Sequence, residues 1–81
     1  MNQVSSSAKF PKTKRGLNTR NKLLQAAEIE FGEKGFHEAA ISGITYRAGV
    51  ALGTFYNYFD SKEEIFQALV RYMSQRTRQW V

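Results

Sequence analysis

Gly49 separates two short runs of helical apolar spacing, and so few residues lie between them that the chain must reverse sharply there. Ile41, Ile44 and Ala48 precede the glycine at steps of three and four, and Phe55 and Phe59 follow it four apart. A reversal this tight needs a residue that accepts left-handed backbone angles without steric penalty, which glycine does. Val50 can then pack back on Ile44, and Ile44, Val50 and Phe55 are spaced to pin the two segments together. The expected unit is a helix-turn-helix whose second helix keeps its outer face unburied. By spacing, that face carries Thr54, Asn57 and Tyr58, with Gly53 at the helix start and Tyr56 on the flank.

The flanking segments have their own start and stop signals. A first helix is expected from Asn18 or Thr19, both good caps, with Leu23, Leu24, Ala27 and Phe31 on one face. Gly35 closes it, and Phe36 can fold back on Phe31. The second helix, about Ala40 to Ala48, contains Gly43, which weakens it by roughly 1 kcal/mol relative to alanine. The third runs from Leu52 to Tyr58 or Phe59. Ser61-Lys62-Glu63-Glu64 has the pattern of a capping box and opens a fourth helix, with Ile65, Phe66, Leu69, Val70 and Met73 as its apolar stripe. Phe31, Phe55, Phe59 and Phe66 are assigned to the core. No stretch alternates as a strand does, so the fold class is all-α.

Charge divides the chain. With 81 residues and a net charge of +5, it makes one small domain. Lys9, Lys12, Lys14, Arg15, Arg20 and Lys22 fall before residue 23 with no acid among them, while the remainder is close to neutral. Residues 1–17, with Ser5, Ser6, Ser7 and Pro11, read as a flexible basic arm suited to a polyanion, since neutralised phosphates release counterions. Residues 18–81 read as the helix-turn-helix domain with the leading part of a fourth helix. Arg71, Arg76 and Arg78 read as a solvated face.

Several function classes find no support. Cysteine is absent, which excludes a disulfide framework and a thiolate zinc site. His37, the single histidine, has no second ligand beside it, so no metal or other cofactor is expected. Glu63 and Glu64 suit the first turn of a helix better than an acid/base pair. No nucleophile motif or phosphate loop appears, and no enzyme is expected. No apolar run approaches the roughly 20 residues of a membrane span, and Met1 to Phe10 lacks the core of a signal peptide, so a cytoplasmic location is expected. A small basic module that docks on protein, and an amphipathic peptide on a membrane surface, are the rival readings.

The run from Ala48 to Phe66, AGVALGTFYNYFDSKEEIF, resembles the signature of TetR-family transcriptional regulators, and Ala26 to Phe36 is similar to the end of that family's first helix. The likeness extends over about Leu17 to Met73. It implies a three-helix, homeodomain-like DNA-binding domain followed by a connecting helix. It also implies site residues. Tyr56 and Tyr58 match positions that reach DNA phosphates, and Lys62 matches a lysine on the DNA backbone. Thr54 matches a contact to phosphate or base, Gly53 a place of close approach, Asn57 a variable position able to pair with adenine, and Ser42 a polar contact from the second helix. Double-stranded DNA carrying an inverted repeat, a homodimer, and a small-molecule effector held by a C-terminal domain absent from this chain are the implied partners, and a repressor the implied role. The chain departs from the pattern at Ala39 and Ala40, where two threonines are common, at Gly43, and at Thr45, where alanine is usual.

Overall fold

The computed structural model describes residues 10–78, and among these it has four helices and no strand: α1 (Lys14–Glu38), α2 (Ile41–Ala48), α3 (Leu52–Tyr56) and α4 (Lys62–Arg78). The part of the arm at residues 1–9 lies outside the described residues, as do the side chains of Arg76 and Arg78. Helix α1 packs against both α2 and α4, and α2 against α3. Leu23, Leu24, Ala27, Ile44, Phe55, Phe59, Ile65 and Leu69 form one core shared by all four helices.

Helix α1 begins earlier than its caps at Asn18 and Thr19 suggested. Thr13 is the cap, its Oγ1 accepting from the Gly16 amide at 3.1 Å. Residues 14–17, expected in the arm, therefore belong to the helix. Gly16, a poor helix former, is there for room: a Cβ on it would lie 2.8 Å from the Pro11 Cβ. Towards its other end α1 breaks at Gly35, whose φ of 77° and ψ of 163° are open to glycine but are not left-handed helical. Phe36 then stacks on Phe31 with ring centroids 5.6 Å apart, as the spacing predicts.

The turn between α2 and α3 forms as expected. Gly49 is left-handed at φ 73° and ψ 33°. Its amide donates to the Tyr46 carbonyl at 3.2 Å and the Val50 amide to the Thr45 carbonyl at 3.1 Å, the paired bonds of a Schellman ending. Helix α3 is only 5 residues long, shorter than the expected run to Tyr58. It tightens at its end, where the Asn57 and Tyr58 amides reach back three residues to Thr54 and Phe55. At the start of α4, Ser61 Oγ accepts from the Glu64 amide at 3.1 Å, and the Glu64 carboxylate accepts from the amide of Asp60.

Two expectations about α4 need correction. Ile65, Ala68 and Leu69 are its buried face, while Phe66, Val70 and Met73 are 39%, 52% and 39% exposed. Helix α4 meets the rest of the fold along one seam, and the latter three lie about 100° around the axis from it. Phe66 is thus not core, although its ring meets Phe31 and Phe36, each at 5.4 Å.

A buried carboxylate joins α1 to α2. Glu30 is fully buried; it accepts from the Ala40 amide at 3.1 Å and from Arg47 Nε at 2.9 Å, with Lys34 Nζ 3.4 Å away. Arg47 also reaches Glu33 at 2.7 Å. No side chain caps α2 from within, because Ala40 has no hydroxyl. Glu30 brings a negative oxygen to that end from a different helix, where the α2 dipole favours it. Gly43 makes this possible. A Cβ there would lie 2.6 Å from the Glu30 carboxyl carbon.

Gly43→Ala therefore sets two effects against each other. Helix propensity alone favours alanine by about 1 kcal/mol. The added carbon, however, displaces a carboxylate tied by two hydrogen bonds, and overpacking of this kind costs about 1–3 kcal/mol. Net destabilisation is expected in urea unfolding. In a Glu30→Ala background the same change should become neutral or stabilising, and additive effects across that cycle would refute the steric account.

Candidate nucleic-acid interface

From Gly53 to Tyr58 the short α3 and the turn after it present an uncharged, mostly polar surface, with Leu52 exposed at its start, because Phe55 and Phe59 hold the opposite side in the core. Gly53 and Asn57 are exposed, Tyr56 is 47% exposed, and Thr54 and Tyr58 are half-buried. Tyr58 packs partly against the core. Five of the expected site residues thus share one helical turn and its exit. Ser42 is exposed on the first turn of α2.

Lys62 is placed differently. Its ammonium donates to the carbonyls of His37 at 3.1 Å and Ala39 at 3.0 Å, and lies 4.7 Å from the centre of the Phe36 ring. It ties the start of α4 to the α1–α2 connection, which leaves one of its three donors for another acceptor. The resemblance alone gave no signal of this second task.

The basic excess also divides in the structure. Lys12, Lys14 and Arg15 are exposed around the start of α1, which lies beside Tyr58: a Cβ on Gly16 would be 3.6 Å from the Tyr58 hydroxyl. Lys14 and Arg15 are in the first turn of a helix that has no acid there, so they oppose its dipole. Folding gains nothing from cations at that end, whereas a phosphate ion would. Arg20 has left this group. Its guanidinium lies over the Phe10 ring at 4.7 Å and the Phe59 ring at 5.3 Å, and its pKa is lowered by burial and then by the nearby Arg71 charge.

Glu30 and Arg47 were not singled out from the sequence. Glu30 follows Ala27 by three residues, so an acid at an apolar-face position was the available signal. Hydrogen bonding to Arg47 holds the Glu30 carboxyl below the usual range, opposed by desolvation and aided by the Ala40 amide and Lys34. This pair ties α2 to α1.

Among the described residues no cluster of acids and histidines could hold a metal, and no helix is long and apolar enough to cross a membrane. The surface can offer hydroxyls and one amide to base edges and cations to phosphates.

Comparison with known proteins agrees with this geometry. Residues 23–69 match the family described as bacterial regulatory proteins, tetR family. The chain is 44% identical over 64 residues to the uncharacterized HTH-type transcriptional regulator YdgC of Bacillus subtilis (strain 168), an alignment covering 79% of this chain and 33% of that protein. It is 40% identical over 52 residues to the HTH-type transcriptional regulator UidR of Escherichia coli (strain K12), covering 64% and 26%. It is 39% identical over 54 residues to the HTH-type transcriptional regulator BetI of Yersinia pestis (strain Pestoides F), covering 67% and 27%. The chain thus spans a third or less of the length of these relatives. No solved structure matches it.

Proposed function

The chain belongs to the tetR family of bacterial regulatory proteins and carries its helix-turn-helix, and from that premise we propose that it binds double-stranded DNA sequence-specifically with α3 in the major groove. The observation that carries the proposal is the exposed, uncharged polar surface from Gly53 to Tyr58, flanked by Lys12, Lys14 and Arg15 at the start of α1. A groove about 12 Å wide admits a helix, and the cations at the start of α1 suit the phosphates along its edge.

Lys12, Lys14, Arg15, Tyr56, Tyr58 and the remaining donor of Lys62 set the register on phosphates. Gly53, Thr54 and Asn57 face the bases, with Ser42 contributing from α2. The whole protein, on this reading, adds a C-terminal domain that forms a homodimer and binds a small-molecule effector. It acts as a repressor on an inverted repeat, in the cytoplasm, and catalyses no reaction. Two half-sites would then lie about 34–36 Å apart, one helical turn of DNA or a multiple of it.

Affinity for duplex DNA measured against salt tests the reading. Log affinity should fall linearly with log salt, because each neutralised phosphate releases a counterion. The exposed row of Phe66, Val70 and Met73 on α4 is the observation that favours a protein-docking module instead, and docking of that kind would respond little to salt.

Two substitutions separate the assigned roles. Asn57→Ala should relax preference at one base position by about 1–3 kcal/mol. Lys62→Ala should weaken binding to every sequence alike, flatten the salt slope by about one, and lower the thermal midpoint because two carbonyls lose their donor. Uniform losses across all sequences from both changes would contradict the division of labour.

A further inference from the structure

We infer that α3 reads a half-site rich in A·T pairs, with Leu52 as a base-reading residue that packs on a thymine methyl group; the inference rests on the DNA-binding reading above. Its basis is what the reading surface lacks. From Leu52 to Tyr58 the chain has no lysine, arginine, histidine or acid.

Guanine is recognised in the major groove chiefly by a cation that spans its O6 and N7. The cations that bracket α3 in the chain are engaged elsewhere. Arg47 is held by Glu30 and Glu33, and Lys62 donates to the His37 and Ala39 carbonyls. The side chains left on the surface favour the other base pair. The Asn57 amide matches the N6 and N7 edge of adenine, and the methyl of Thr54 suits the thymine methyl.

Leu52 has no place in the core and is 51% exposed on the first turn of α3. A recognition helix presents its N-terminal residues to the bases. Gly53 beside it has no side chain, and a Cβ built there would meet nothing within 4 Å. Backbone can therefore come close to the groove at Gly53, and Leu52 is carried in with it. An isobutyl group there offers no hydrogen bond, and the one apolar feature on a base edge in the major groove is the 5-methyl of thymine.

The test has two stages, each using the full chain. Duplexes are first selected from a random pool at low salt, and a motif dominated by A·T pairs is expected. Thymines in that motif are then replaced one at a time by deoxyuridine, which removes only the methyl group. At one position wild-type affinity should drop about three- to fivefold, the worth of one buried methyl. Leu52→Ala should bind more weakly than wild type and be insensitive to that same replacement. Because the deoxyuridine change is made in the DNA, its result does not depend on how a variant folds.

A recovered motif dominated by G·C pairs would overturn the inference and leave the DNA-binding reading standing. An A·T motif indifferent to every deoxyuridine would overturn the role of Leu52. Recovery of no motif at all would overturn the DNA-binding reading, and this inference with it.

Discussion

Glu30→Ala is expected to destabilise the domain by about 2–4 kcal/mol in urea unfolding, a large share of the total available to a chain of this size. The carboxylate has no access to water, and the Ala40 amide and Arg47 are bonded to it. Removing it strands that amide at the start of α2 and opens space in the α1–α2 contact. A buried ion pair is weak evidence of net stability, because desolvation offsets much of the attraction. Deleting Glu30 is another matter: Arg47 keeps Glu33, but the Ala40 amide loses its acceptor and a fully buried side chain is removed.

Acid offers an independent check through Glu30→Gln, which keeps the shape and loses the charge. The Glu30 pKa is lower in the folded state than in the unfolded one, chiefly through Arg47. Its contribution is therefore complete above the ordinary glutamate range, roughly pH 4.3, and is lost as pH falls from there through the lowered folded value. Wild type and Glu30→Gln should differ most near neutral pH and converge in acid. A gap that stays constant as the pH falls well below the ordinary glutamate range would mean that the charge on Glu30 contributes nothing.

Phe55→Ala should have the largest effect of any single substitution, about 3–5 kcal/mol. The ring is fully buried between the helices and lies 5.7 Å from the Phe59 ring. Helix α3 has 5 residues, too few to be stable without tertiary support. Phe55 is its one sealed side chain, so the loss falls first on the element proposed to enter the groove. Amide exchange of residues 52–59 should accelerate more than that of α1, and sequence-specific DNA affinity should disappear while weak, salt-sensitive binding through the basic flank remains. Phe55→Leu, which refills most of the space, should recover much of both. Unchanged exchange across 52–59 in the alanine variant would show that something other than Phe55 holds α3.

The elements legible in the sequence share a physical trait: each depends on residues a few positions apart. Gly49 and the Val50 amide close α2, Ser61 and Glu64 open α4, and Phe36 turns back on Phe31. Backbone angles and hydrogen bonds within one or two turns determine these features, and the residue types announce them. The outer surface of α3 was legible for the same reason, since burying Phe55 and Phe59 necessarily turns Gly53 and Asn57 outward.

What escaped the sequence is contact across longer stretches. Gly43 weakens α2 by propensity, and the reason for it lies in another helix, where the Glu30 carboxylate fills the space a Cβ would take. Asn18 and Thr19 are good caps by type, but Thr13 prevails because Gly16 lets the Pro11 segment fold against the helix start. Lys62 matches a lysine on the DNA backbone by resemblance, yet it also secures the His37 and Ala39 carbonyls. Phe66, Val70 and Met73 had the spacing of a buried stripe and lie beside the seam.

The sequence by itself determined the helix-turn-helix, its sharp glycine reversal, the side of α3 left outside and the family to which the chain belongs. Only the tertiary structure decided how α2 is held without a cap of its own, which cations remain free, and which half of the α4 stripe is covered. Local signals act through the backbone and are the same wherever the segment sits; the fate of a charge or an apolar face depends on which distant surface comes to lie against it.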